Sequence, residues 1–509
     1  MSYWRFRLEL WRDRARDFWY LFRRNKFGIA GLGIILLFVA IALIAPLVAP
    51  FDPMNPANVF AAPLAKPSWM RYFDPSLSVN TDPIQNSKLD GLAGWNIWIN
   101  ASGSRVPWTS YRIDPSQGST AVGGSGPGSL RIDAWLNDTT VSAKPVYVHI
   151  EQSFDWDMGP PAGIDASVSL ASEISGPIAF EVSVYLTIPN GTRVNFLIGG
   201  ESSERITVTS SWKAHTVSTP KYKPRTAVTE IPVPISNIVK ERGTYILQII
   251  VKVCDERARP VPAHGVLFID DVRFFFYGSA YGVLGSDNIG RDLFAQLLWG
   301  SRVSLLVGFT ATFIALAIGT IVGLVAGYFG GAVDEVLMRI VDVMMVLPGL
   351  PFMIALAAIL GASIWNLVIV IAIVGWAGTA RLIRSQVLSV KERQYIEAAR
   401  ASGAGSVYLM FRHILPNVLP LVFVVASTGI GGVIIAEASL SFLGLGDPHL
   451  ASWGQMLYNA EQAGAASPLV MAWWWIIPPG VCIAALALAF ILLGTALDEI
   501  LNPRLRRRM

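Results

Sequence analysis

Five stretches of this chain run for more than twenty residues without one Asp, Glu, Lys or Arg: Phe27–Ala49, Val303–Val333, Val343–Ala380, His413–Ala436 and Gln462–Leu497. A hydrocarbon core about 30 Å thick is crossed by roughly 20 apolar residues of helix. The third run is long enough for two helices folding back at GASIWN (361–366), so six spans are predicted. Overall composition agrees, with 53% apolar residues, 15% charged residues and a mean hydropathy of +0.48 over 509 residues. A soluble globular chain carries more charge than this. The first run is longer than the apolar core of a secretory signal and ends in LIAPLVAPFDP, so it is expected to stay as a span. Six spans make this an α-helical polytopic membrane protein.

Orientation follows from the positive charges on short flanks. Residues 1–26 hold eight Lys and Arg, 381–412 hold six and the tail after 498 holds four. The loops at 361–366 and 438–472 hold none. Both termini are therefore expected in the cytoplasm of a cell that carries the chain in its plasma membrane. Basic residues beside apolar runs account for the net charge of +4, and nucleic acid is dropped as a partner. Of the two cysteines, Cys254 lies in a polar region and Cys482 in an apolar run, so no bridge and no thiolate metal site is expected.

The organisation expected is a cytoplasmic segment 1–26, a first span 27–49, an extracytoplasmic insert 50–282, an outer interfacial helix 283–301, a five-helix core 302–497 with a cytoplasmic loop 381–416, and a basic tail 498–509. After a Pro-rich opening the insert alternates with period two, the signature of half-buried strands. IAFEVSVYLTI (178–188) places Ile178, Phe180, Val182, Val184, Leu186 and Ile188 on one face, and Asn190-Gly191 supplies a tight hairpin before RVNFLIGG. Further strands are read in SLRIDAWL, KPVYVHIEQSF, TYILQIIVKV and GVLFIDDVRFFFYG. The insert is expected to be an all-β, jelly-roll-like sandwich. Its charges nearly cancel, with 20 basic against 23 acidic residues between 51 and 300. Three N-x-S/T sequons, at Asn100, Asn137 and Asn190, mark possible glycosylation of an exposed surface. Trp95, Trp98, Trp108, Trp135, Trp156 and Trp212 are assigned mostly to the core of the sandwich, with sugar stacking as the alternative role.

Within the core, EAARASGAGSVYLMFRHILP (397–416) is too polar for lipid. Glu397–Arg400 continues a helical pattern, Gly403 and Gly405 permit a tight turn, and Val407, Leu409, Met410 and Ile414 form one apolar face running back to Pro416. A helix, turn, helix on the cytoplasmic face is predicted. Gly319, Gly323 and Gly327 recur every four residues as a smooth stripe for close helix packing. Pro348, Pro351, Pro478 and Pro479 are expected at kinks, and Trp473, Trp474 and Trp475 as interfacial anchors. Among ionisable residues within spans, Arg339 and Asp342 are expected to pair at i, i+3. Glu437, without an evident partner in its own helix, is expected at the subunit interface by the outer gate together with Ser441.

E397-A398-A399-x3-G403 followed by I414-L415-P416 resembles the EAA loop of ABC importer permeases of the type I, binding-protein-dependent class. LGSDNIGRDLFAQLLWGSRVSLLVG (284–308) is similar to the GTDxxGRD segment of the dipeptide, oligopeptide and nickel branch, and E437-A438-S439-L440-S441-F442-L443-G444-L445-G446 and RRNKFGIAGLGIILL match the C-type subunit of that branch. His413, Ser286 and Gln296 depart mildly from the general pattern. The resemblance implies that Glu397, Ala398, Ala399, Gly403, Leu415 and Pro416 couple the chain to an ATPase. It places Asp287, Gly290, Arg291 and Asp292 in an outer interfacial motif, with Asp287 and Asn288 capping the helix over Arg291–Gly300.

No G-x4-G-K-[ST] pattern occurs, so ATP and Mg are expected on two separate ATPase subunits, with no cofactor or metal in this chain. A second homologous permease, forming a heterodimer, and an extracytoplasmic substrate-binding protein complete the implied assembly. Di- and oligopeptides are the implied cargo. Oligosaccharides are the second reading, and a membrane-anchored carbohydrate-binding adhesin the third.

Overall fold

The structure, a computed structural model, describes residues 16, 19–89, 91–100, 108–118, 128–136, 145–195, 212–219, 235–256, 261–468 and 470–501. The chain divides into two compact units, Met1–Asn58 with Leu293–Met509, and Val59–Asp292.

The first unit is helical. It comprises α1 Lys26–Val48, α2 Leu293–Phe329, α3 Gly331–Val346, α4 Gly349–Leu360, α5 Ile364–Lys391, α6 Gln394–Ala401, α7 Leu415–Leu440, α8 Trp453–Gln462 and α9 Trp473–Leu501. Five helical segments among the described residues are long and apolar enough to cross a membrane, and α3 with α4, bent by 91°, makes a sixth if the pair is one broken span. The bend has a local cause. Pro348 forbids helical backbone at the residue before it, and Leu347 is accordingly extended at ψ 134°. α2 is one helix of 37 residues, so no separate interfacial helix precedes the span that was expected from residue 302.

Close packing rests on small residues. A Cβ on Gly319 would lie 2.7 Å from the carbonyl oxygen of Trp376, and one on Gly323 would lie 2.5 Å from that of Ala380. On Gly327 it would fall 2.8 Å from the Cβ of Val387. The glycine stripe of α2 therefore seats α5 backbone to backbone. Gly31 of α1 likewise faces the carbonyl of Ala489 on α9, where an added Cβ would sit at 2.6 Å. At the start of α1, Asn25 accepts from the Gly28 N–H at 2.9 Å and donates to Glu499 of α9 at 2.6 Å.

The tryptophans at the start of α9 differ from expectation. Trp474 and Trp475 are buried, whereas Trp473 is exposed, because the helix turns residues 474 and 475 toward the bundle. Trp453 of α8 is also buried, donating from Nε1 to the Leu297 carbonyl at 3.0 Å and meeting Phe38 edge to face at 5.4 Å. Pro478 and Pro479 lie inside α9.

The second unit is an all-β sandwich of two antiparallel five-stranded sheets with strand orders β1-β4-β9-β6-β7 and β2-β3-β10-β5-β8. The first holds β1 Asn96–Asn100, β4 Val146–Trp156, β6 Ile178–Thr187, β7 Arg193–Asn195 and β9 Gly243–Asp255. The second holds β2 Trp108–Asp114, β3 Ser129–Leu136, β5 Gly163–Ser175, β8 Lys213–Thr219 and β10 Ala263–Tyr277. β6 alternates buried and half-buried residues along its whole length, with Ile178, Phe180, Val182, Val184 and Leu186 inward. The Asn190-Gly191 hairpin is present: Gly191 has φ +85°, and Thr187 pairs with Arg193. β1, β2, β5 and β8 had no sequence expectation.

Trp95 and Trp156 belong to the shared core, whereas Trp98 is exposed on edge strand β1 and stacks on His149 at 3.8 Å. Trp135 is half-buried and stacks on His264, and Trp212 packs on Phe268. The side chain of Trp108 lies outside the described residues. Of the sequons, Asn100 and Asn190 are exposed, the latter accepting from the Thr192 N–H at 2.9 Å. Asn137 lies outside the described residues.

Candidate coupling site

α5 ends at Lys391, and after a two-residue break α6 begins at Gln394. α6 stops by a Schellman closure. Gly403 takes φ +87°, its N–H donates to the Arg400 carbonyl at 3.0 Å, and the Ala404 N–H reaches back to the Ala399 carbonyl at 3.1 Å. Glycine adopts this left-handed backbone without a Cβ penalty. A short helical turn, Ser406–Tyr408, then runs through a π-helical stretch, Leu409–Ile414, directly into α7. The helix, turn, helix expected from the sequence is present, but its second helix continues into the span without ending at Pro416.

The π register has a chemical setting. The Leu415 N–H reaches back to Met410, Pro416 brings no N–H, and Asn417 Nδ2 donates to the His413 carbonyl at 2.7 Å.

One face of this knuckle is held fast. Ile396, Met410 and Ile414 are buried in a cluster with Leu324 of α2, with Ile383, Val387 and Val390 of α5, and with Val418 of α7. Each such side chain contributes about 1.5–3 kcal/mol when fully buried. The opposite face is open. Glu397 and Ala398 are exposed, Ala399 is half-exposed, and Tyr395, Val407, Tyr408 and Phe411 present large apolar groups outward. Val407 was expected on the buried stripe and lies outside it, since the π stretch rotates the following residues relative to a regular helix.

Two ion pairs tie α5 to α3 above the knuckle. Arg384 donates through Nε and Nη2 to Asp334, and Arg381 donates to Asp342. Lys391 Nζ adds a bond to the Gly327 carbonyl at 3.0 Å. The expected Arg339–Asp342 pair is replaced by Arg381–Asp342, in which Arg381 of the neighbouring helix α5 donates through Nη2 to Asp342. The Arg384–Asp334 pair has no local sequence signal beyond three basic residues on α5 (Arg381, Arg384, Lys391) and three acids on α3 (Asp334, Glu335, Asp342).

Glu437 corrects another expectation. It is 1% exposed within this one chain and accepts from Ser441 Oγ, four residues on, at 2.8 Å. Glu437 and Ser441 are thus an internal pair at the end of α7 and do not face outward. There Ser441 abuts Gly446, whose added Cβ would lie 2.6 Å from Ser441 Oγ.

The GSDNIGRD stretch is likewise built differently from a helix cap. Asp287 is fully buried: its Oδ1 accepts from the N–H groups of Ile289 and Arg291 at 3.0 and 2.9 Å, and its Oδ2 accepts from Arg291 Nε at 2.6 Å. Gly290, at φ +88°, lets the loop approach the Ala61 carbonyl, to which a Cβ would come within 2.1 Å. The motif folds on itself as an Asx-type loop because the carboxylate binds residues two and four ahead. Asp292 is half-buried beside it. No group of three or more His, Cys, Asp or Glu suited to a metal occurs among the described residues.

A bundle of helices long and apolar enough to cross a membrane, carrying a fixed knuckle between two of them, defines a polytopic membrane protein. Residues 319–507 match the family described as binding-protein-dependent transport system inner membrane component, and residues 14–67 match the N-terminal TM domain of oligopeptide transport permease C. A dipeptide transport system permease protein of Alkalihalophilus pseudofirmus is 40% identical over 45% of this chain and 74% of its own length. A glutathione transport system permease protein of Pectobacterium atrosepticum is 42% identical over 44% of this chain and 73% of its own. The inward-facing MetNI methionine ABC transporter overlaps 40% of this chain and 94% of its own, at 18% identity and a TM-score of 0.33. The chain belongs to the binding-protein-dependent ABC transport permease family, among the dipeptide and oligopeptide permeases.

Proposed function

We propose that this chain is the permease subunit of an ATP-driven importer that takes up di- and oligopeptides handed over by an extracytoplasmic binding protein. One observation carries the reading: α6 and the turn after it are buried on one side by Ile396, Met410 and Ile414 and open on the other along Glu397, Ala398, Tyr408 and Phe411. A segment built this way transmits a push, because its inner face is continuous with α2, α5 and α7 while its outer face is free for a partner's groove. The partners are two ATPase subunits that bind ATP and Mg, with a second homologous permease closing the pathway.

Peptide cargo is supported by the names of the relatives, which transport dipeptides and glutathione. The basic flanks support a knuckle and both termini in the cytoplasm, with the β-sandwich outside the cell. Apart from the β2–β3 and β6–β7 hairpins, successive strands of that sandwich cross between its two sheets, which supports a jelly-roll reading. The domain would then receive the binding protein or cover the entrance to the pathway.

The test is Glu397→Lys in the reconstituted complex. Peptide-stimulated ATP hydrolysis is expected to fall at least tenfold while the chain remains inserted and the ATPase subunits retain their basal rate. Unchanged stimulated hydrolysis would remove the reading.

A further inference from the structure

Eight large apolar side chains are exposed among the described residues of the β-unit, and four of them stand at one place: Trp69, Tyr72, Phe73 and Val283. Tyr72 and Phe73 are the most exposed, at 89% and 83%. The other four, Leu92, Trp98, Ile174 and Val261, come from separate elements and need no explanation. A cluster does.

The cluster is built. Trp69 and Tyr72 lie on a 3₁₀ turn, Ser68–Tyr72. Ser68 donates from its N–H and its hydroxyl to the Gly282 carbonyl at 2.9 and 2.7 Å, and Trp69 Nε1 donates to the Val283 carbonyl at 3.0 Å. Phe73 meets the Trp69 ring edge to face at 6.4 Å. These bonds fix the aromatic turn to the outgoing chain and hold its rings outward.

Its place along the chain decides what covers it. Val283 stands ten residues before the start of α2 at Leu293, and the incoming chain left α1 at Val48. The incoming and outgoing segments are zipped together: Phe60 and Ala61 donate to the Gly290 carbonyl, Leu64 to that of Asp287, and Lys66 to that of Ser279. The aromatic turn therefore rides on the stem that tethers the sandwich to its membrane helices. Ten residues span at most about 35 Å. Exposed Trp69, Tyr72 and Phe73, with half-buried Met70 and Arg71 among them and the Lys66–Asp74 pair alongside, make the aromatic and charged mixture that settles at a lipid headgroup boundary.

We propose that the Ser68–Tyr72 turn, with Phe73 and Val283, is an interfacial foot that seats the β-domain on the headgroup region of the bilayer. This goes beyond the transport reading and needs only that α1 and α2 enter a membrane.

The test uses the full-length protein in phosphatidylcholine nanodiscs. Cys254 and Cys482 are replaced by Ser, and a single bimane label is placed at Tyr72→Cys or, independently, at Phe73→Cys. Ile174→Cys is the control: it pairs near Gly265, at the opposite end of β10 from the stem residue Tyr277. Labels at 72 and 73 are expected to be quenched at least threefold more than the control by nitroxide-bearing lipid, and to be shielded from aqueous iodide. Equal iodide quenching at all three sites with no effect of nitroxide lipid overturns the proposal. So does shielding at 72 and 73 that shows no lipid quenching, because a protein partner would then be the cover.

Discussion

The backbone N–H of Ala404 donates to the carbonyl of Ala399 at 3.1 Å, closing α6 over a left-handed Gly403. With the Gly403 N–H bond to the Arg400 carbonyl, it sets where the exposed helix ends and where the chain turns back toward α7. A side chain at 403 costs roughly 1–2 kcal/mol in this backbone conformation. Gly403→Val is expected to lose most substrate-stimulated ATP hydrolysis in proteoliposomes with the spans still inserted. Gly405→Ala is the control, because Gly405 has φ −70° and open space around its Cα, and it should retain full stimulation.

Gly323 permits the backbone of α2 to touch that of α5, with an added Cβ falling 2.5 Å from the Ala380 carbonyl. Gly323→Leu should destabilise the bundle by about 1–3 kcal/mol or more through overpacking. Thermal unfolding in mild detergent would register this as a lower midpoint and a loss of assembled protein. At Gly378 of α5 nothing stands within 4 Å, so Gly378→Ala should leave the midpoint unchanged or raise it slightly.

Asp334 and Arg384 join α3 to α5 with their side chains half-buried, whereas Asp342 and Arg381 are about half exposed. Removing one partner of the first pair should cost about 1.5–3 kcal/mol, the range for hydrogen bonds to charged groups. The second pair should cost under about 1 kcal/mol. A double-mutant cycle on each pair, read by thermal unfolding, separates the two. Equal coupling energies would mean that burial does not govern these bridges.

Much of the architecture is legible in the sequence because its signals are local. Charge-free runs reveal spans, glycines at intervals of four reveal a packing face, and Asn190-Gly191 reveals a hairpin. β5 escapes such reading for a physical reason: Gly163 to Ser172 is buried on both faces, so no alternation betrays the strand. β1 is short and at a sheet edge. The Arg384–Asp334 contact joins residues fifty positions apart and leaves no local pattern. The Glu437–Ser441 pair has a local signal, since Ser441 stands four residues on, the spacing at which helical side chains meet. Asp287 looked like a cap because its residue type favours one, yet the loop's own N–H groups took the carboxylate.

The central claim is that the exposed face of α6 is where a motor subunit presses. The most direct measurement is site-specific crosslinking from Ala398→Cys in the purified complex, with and without ATP. A crosslink to an ATPase subunit, its yield changing at least twofold with nucleotide, is the predicted result. A cysteine at 398 that crosslinks to no ATPase subunit, or that reacts only with reagents added outside the cell, would contradict it.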